Sequence, residues 1–171
     1  MRKPLGYLTA LALVAAAAGG LLLYTPLGER PLTALFPVGE VAPVDFAALA
    51  LGNRPNRHLV CPPDFCAAAR PQAFSPVFEI PAADLRARWQ AVVAARPRVR
   101  LLAESADGLQ FDYVARTARF RFPDIVTVRF VALGPAQSTL AVYSRSIYGR
   151  SDLGANRARV ESWLAALRQR P

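Results

Sequence analysis

The sequence predicts an α+β domain. Its expected form is a two-layer sandwich, a four- to five-stranded antiparallel sheet with two helices on one face, plus an N-terminal transmembrane helix. Three observations lead to this class. A charge-free apolar stretch opens the chain, and two later segments carry apolar residues at helical spacing. Between those two lie four alternating segments separated by turn residues.

Met1–Lys3 is positively charged, and Leu5–Tyr24 is twenty residues without a charge. At about 1.5 Å per residue that length matches a hydrocarbon core of ~30 Å. The positive flank predicts a single pass through the inner membrane, with the N-terminus cytoplasmic and the rest of the chain in the periplasm. The alternative is a signal peptide cleaved after Ala16-Ala17-Ala18, with secretion to the periplasm. Leu21–Leu23 would then be left needlessly apolar, which favours the uncleaved anchor. Thr25–Pro43 contains Pro26, Pro31, Pro37, Pro43, Gly28 and Gly39 and reads as an extended linker. The expected division is therefore an anchor over 1–24, a linker over 25–43 and an exported domain over 44–171.

Val44–Leu51 is apolar but too short to span a bilayer, so it packs on the domain or lies at the membrane interface. Cys61 and Cys66 bracket two prolines in a short loop. In an oxidising compartment a structural disulfide is the natural state. A metal site would need more ligands than His58, the only histidine in the chain, supplies.

Pro81–Arg96 reads as a helix. Pro81 suits the first helical position, Leu85, Trp89, Val92 and Val93 share one face, and Pro97 ends it. Val99–Ser105 and Leu109–Thr117 flank Asp107-Gly108, a hairpin turn. Ile125–Leu133 alternates Val126, Val128 and Phe130 with Thr127 and Arg129. Ser138–Ser146 follows the Gly134–Gln137 turn, and Pro76–Ile80 is a possible fifth strand. The last helix covers about Leu153–Gln169, with Val160, Trp163, Leu164 and Leu167 as its apolar stripe and Asp152 as N-cap. Trp89 and Trp163 lie on these stripes, so both are expected in the core.

An apolar content of 53% over 171 residues supports one packed domain and excludes global disorder. The formal charge of +9 suits an anionic surface. No basic run is interleaved with aromatic residues, so nucleic acid is not an expected partner. No Gly-rich phosphate loop or dinucleotide fingerprint is present, and no cofactor is expected.

Several segments together resemble one family. They are Val44-Asp45-Phe46-Ala47, Arg54-Pro55-Asn56 with Leu59–Pro63, Phe120–Val126, and Ser144-Arg145-Ser146 continuing through Gly149, Ser151–Gly154 and Asn156-Arg157. The chain from about Asp45 to Leu167 is similar to the bacterial and plastid family called domain of unknown function 1499. Members often carry a membrane segment, and the family has no established activity, so the resemblance implies a location and no mechanism. Ile147 stands where many members have a further arginine, which counts against a dense guanidinium cluster.

The segment Tyr143–Val160 concentrates the chemistry. It joins a strand end to a helix start, and a helix N-terminus carries unpaired N–H groups and partial positive charge. Ser144, Arg145, Ser146, Arg150, Asp152, Asn156 and Arg157, with Asp124 nearby, form the candidate anion-binding set. The same residues also fit a structural clamp, with Asp124 paired to Arg145 or Arg157, Asp152 capping the helix and Arg157 paired to Glu161.

Three functional readings follow. The preferred one is a non-enzymatic binding or accessory domain beside the membrane, with a membrane lipid or cell-envelope component as partner. A hydrolase using Asp124 and Asp152, with a signature serine as nucleophile, is the second. A subunit that docks a protein partner through an apolar patch is the third.

Overall fold

The computed structural model of the chain describes residues 4–25 and 29–169. Met1–Lys3, on which the expected orientation rests, lie outside the described residues, as do Pro26 and Gly28 of the expected linker. Helix α1 spans Pro4–Tyr24, and a one-to-two-turn helix, α2, spans Glu29–Leu35. Among the described residues no helix is long and apolar enough to cross a membrane, so the fold by itself does not establish the anchor.

The domain contains strands β1 (Arg57–Cys61), β2 (Ala73–Phe74), β3 (Val99–Glu104), β4 (Gln110–Arg116), β5 (Pro123–Gly134) and β6 (Gln137–Ser146). Helix α3 (Ala82–Ala94) precedes β3, and α4 (Ala155–Arg168) ends the fold. The sheet order is β2-β1-β6-β5-β4-β3. The class is α+β as expected, but the sheet is six-stranded and mixed rather than four- to five-stranded and antiparallel. The extra strands lie on either side of the disulfide loop. Residues 62–72 carry the chain back, so β2 runs parallel to β1, with Val60 opposite Ala73. Five residues of β1, followed at once by Pro62-Pro63, are too few for their alternation to stand out. The expected strand at Pro76–Ile80 is a single bridge, in which Phe78 and Ser138 exchange backbone hydrogen bonds.

Pleating divides the sheet into two buried faces. Phe111, Tyr113, Val126, Val128, Phe130, Leu140 and Val142 point towards α3 and α4. The helices answer with the stripes read from the sequence, Leu85, Trp89, Val92 and Val93 on α3 and Val160, Trp163, Leu164 and Leu167 on α4. Trp89 packs edge-on against Trp163 with centroids 5.6 Å apart. Fully burying side chains of this size is worth roughly 1.5–3 kcal/mol each, which makes this layer the main source of stability.

The second face is covered by chain rather than by helix. Phe46, Leu59, Cys61, Cys66, Ala69, Ala141 and Tyr143 form a second core, flanked by Val44, Leu49, Leu51 and Phe65. Val44–Leu51 therefore packs on the domain. Cys61 and Cys66 are disulfide-bonded, with Cα atoms 6.3 Å apart. Residues 36–44 run along the same side. Arg116 donates to the Phe36 carbonyl at 3.0 Å, Tyr148 Oη to that of Pro37 at 2.7 Å, and Gln110 to that of Val44 at 3.0 Å.

The Asp107-Gly108 hairpin forms where expected. Gly108 has φ of 65°, a left-handed conformation that glycine adopts without a Cβ clash. Asp107 accepts from Ser105 and from the Leu109 N–H and pairs with Arg129 at 2.7 Å. Those hydrogen bonds, with Arg129 first, hold its carboxyl well below the usual range.

Candidate functional site

The pleat of β6 decides which signature residues meet. Ser144 and Ser146 point to the helix side, where Ser144 faces Val126 and Ser146 faces Asp124 across β5. Arg145, between them, points to the opposite face. There it donates to Thr127 Oγ1 at 3.0 Å, and its guanidinium lies 5.0 Å from the Tyr143 ring centroid. Burial lowers its pKa. Arg145, itself partly buried, thus belongs to an array with the buried Thr127 and Asp112, which are joined at 2.5 Å, and not to the strand–helix junction.

At the junction Asn156 is the hub. It is wholly buried on the first turn of α4. Its Oδ1 accepts from Ser144 Oγ at 2.5 Å and from Arg159 Nη1 at 2.7 Å. Its amide N–H groups reach Asp152 Oδ2 at 2.7 Å, Ser146 Oγ at 3.0 Å and the Asn56 carbonyl at 3.1 Å. Asn56 in turn donates to the Gly149 carbonyl at 2.8 Å. The Asn156 side chain therefore joins β6, α4, Asp152 and the segment entering β1, and Asn56 extends the network to the glycine turn.

Asp124 pairs with Arg159, not with Arg145 or Arg157. The contact is 2.5 Å, and the two side chains are 2% and 12% exposed. Arg145 is excluded by the pleat, and Arg157 by the helix. Asn156, Val160, Trp163, Leu164 and Leu167 form the buried stripe of α4, and the two arginines flank it on opposite sides, Arg159 where it reaches Asp124 of β5 and Arg157 where it lines a recess with His58 of β1. Arg157 instead pairs with Glu161 at 2.7 Å on the exposed surface. Arg159 was the residue missed by reading the signature as a string. The helical stripe borders both arginines, so which of them meets Asp124 depends on where β5 lies against α4.

Asp152 caps α4 from outside the helix, accepting from the Gly154 N–H at 3.1 Å and the Asn156 N–H at 2.8 Å. The geometric N-cap is Gly154, whose φ of 82° permits the turn. Burial alone would raise the Asp152 pKa. The N–H groups of Asn156 and Gly154 and the Asn156 amide outweigh it and hold the carboxyl below its usual range.

Two recesses flank this closed network. The first, about 420 Å³, is lined by Phe120, Phe122, Tyr148 and Leu153, with Asp124 and Ser146 at its buried end. The second, about 340 Å³, lies on the other side of Asp152 and is lined by Arg54, Arg57, His58 and Arg157. Arg150 is exposed and borders a further recess with Asn53, Arg54 and Gly149. Among the described residues no three His, Cys, Asp or Glu side chains gather in a way that could hold a metal ion.

A comparison with curated proteins found no match. Residues 56–167 match a family model described as "Protein of unknown function (DUF1499)". That span begins at Asn56 and ends at Leu167, so it contains both the hub of the polar network and the helix that completes it. The chain belongs to the DUF1499 family.

Proposed function

We propose that the chain is a non-enzymatic, membrane-tethered binding domain of the cell envelope, and that its ligand is an amphiphile held in the cleft beside Asp124. The cleft carries this reading. At about 420 Å³ it falls within the ~300–1,000 Å³ usual for small-molecule sites, with aromatic walls and a few polar groups at one end. Its rim leaves large apolar surface in contact with solvent. Leu153 is 97% exposed and Phe120 48%. Leu153 also has φ of 52°, a conformation costly for a branched apolar residue, typically by ~1–3 kcal/mol.

The tether supports the choice of occupant. Helix α1 is a 21-residue segment without a charged residue. Phe36, twelve residues after Tyr24, packs against Phe122 and Tyr148 with centroids 4.5 and 5.5 Å away. Twelve residues reach at most about 40 Å, so an α1 seated in a bilayer keeps the cleft near its surface.

The hydrolase reading is the weaker one. Asp124 is buried and ion-paired, and both Asp152 oxygens accept N–H groups, which leaves neither carboxylate free as a base.

Photo-crosslinking of the full chain in native membranes tests the proposal. A benzoylphenylalanine in place of Phe120 should yield lipid-mass adducts. The same substitution at Val77, similarly exposed and outside the cleft lining, should not. Absence of adducts at Phe120, or equal yields at both positions, would reject the amphiphile site.

A further inference from the structure

Beyond the cleft, the recess across Asp152 has a different chemistry. Three arginines, Arg54, Arg57 and Arg157, line it against one carboxylate, Asp152. That carboxylate is turned to α4 and committed to the N–H groups of Gly154 and Asn156 and to the Asn156 amide. Arg157 shares its Nε with Glu161 at the rim. The recess therefore retains an excess of positive charge.

His58 provides the second, independent observation. It stands on β1 opposite Ser144, is only 5% exposed, and lines the recess. Its Nε2 is buried and has no hydrogen-bond partner among the described residues. Arg57 Nε is in the same condition. A buried polar atom without a partner costs roughly 1–3 kcal/mol, and two beside one recess point to a group that completes them.

We propose that this recess is a phosphate-type anion site, in which Arg54 and Arg157 supply forked charge, Arg57 supplies a buried donor and His58 donates from Nε2. A tetrahedral oxyanion offers enough acceptors to serve all four at once, and arginine forks match its geometry. Binding needs no contribution from the α4 N-terminus, which Asp152 already occupies. Burial holds the His58 pKa below its ordinary value, with Arg157 acting the same way and Glu161 and Asp152 opposing. A bound anion shifts it upward by stabilising the imidazolium.

The only histidine in the chain makes the test direct. The full chain in detergent micelles is titrated with inorganic phosphate while the His58 ring resonances are followed by NMR. The expected result is a saturable shift with a raised apparent His58 pKa, not reproduced by chloride at equal ionic strength. Arg54→Gln and Arg157→Gln alter exposed side chains, so the fold persists, and each should weaken phosphate at least tenfold. A second arm uses nanodiscs of phosphatidylglycerol against phosphatidylcholine. A His58 shift with the first alone, competed by phosphate, assigns a lipid headgroup as the source; silence there with saturation by phosphate assigns a free phosphate. A linear response that chloride reproduces, or an unchanged titration in Arg54→Gln, overturns the site. Neither result depends on crosslinking at Phe120, so the two sites stand or fall separately.

Discussion

The two sides of Asp152 contain similar residues in opposite conditions. Towards α4, the buried Ser144, Asn156 and Asp124 and the partly buried Ser146 and Arg159 are joined by hydrogen bonds of 2.5–3.0 Å. Towards β1, His58 and Arg57 carry buried nitrogens without partners among the described residues, beside an open recess. The difference separates a clamp from a site. Where each donor has met its acceptor, the residues hold elements together. Where donors are left over beside a recess, a ligand has groups to meet.

That contrast is broken most severely at the ion pair. Arg159→Ala leaves the Asp124 charge buried without its partner, and truncating one member of such a pair costs about 3–5 kcal/mol. Chemical denaturation of the full chain should show a loss of that size. Adding Asp124→Asn should recover part of it, because the orphaned charge is removed. Full additivity of the two substitutions would contradict the clamp.

Asn156→Ala ranks next. It removes the side-chain hydrogen bonds to Ser144, Ser146, Asp152, Asn56 and Arg159 and leaves a cavity at a wholly buried position, and a loss of roughly 2–4 kcal/mol is expected. The same denaturation measurement checks it. Cys61→Ser with Cys66→Ser follows. The closed loop is short, so the loss should sit at or below the low end of the usual ~2–4 kcal/mol.

A pH series sharpens the other half of the comparison. His58 has a folded pKa below its ordinary value of about 6.5 because burial disfavours the imidazolium. Between these two values the unfolded chain binds a proton that the folded chain refuses. The His58 contribution is therefore fully present above about pH 6.5 and is lost as pH falls through the folded pKa. Melting temperature should drop between neutral pH and pH ~5, and His58→Gln should flatten that slope. Asp152, whose carboxyl is also held below its usual range, adds a second loss at lower pH. Arg157→Gln marks the small end. Its pair with Glu161 is fully exposed, so the melting temperature should not move.

Much of this fold was legible in the order of residues. The apolar stripes of α3 and α4, the Asp107-Gly108 hairpin and the alternation of β5 and β6 follow from local periodicity. Each appears within a residue or two of its expected bounds. Periodicity is a property of a few consecutive residues, so it survives without knowledge of the partners. The disulfide was legible for the same reason, since five residues of separation leave little choice.

Tertiary structure decided the rest. β1 and β2 exist as strands because β6 offers them an edge, and nothing in RHLVC shows that edge in advance. The partner of Asp124 depended on which arginine the pleat and the helix turned inward, a choice between residues only two apart on α4. Placing Arg145 and Ser144 on opposite faces needed only the two-residue period of a strand. Pairing Asn56 with Asn156 across one hundred positions needed the whole domain. The sequence by itself determined the segments, their periodic faces and the family. Only the assembled chain decided which polar groups found partners, because hydrogen-bond satisfaction depends on distances between segments that no local pattern encodes.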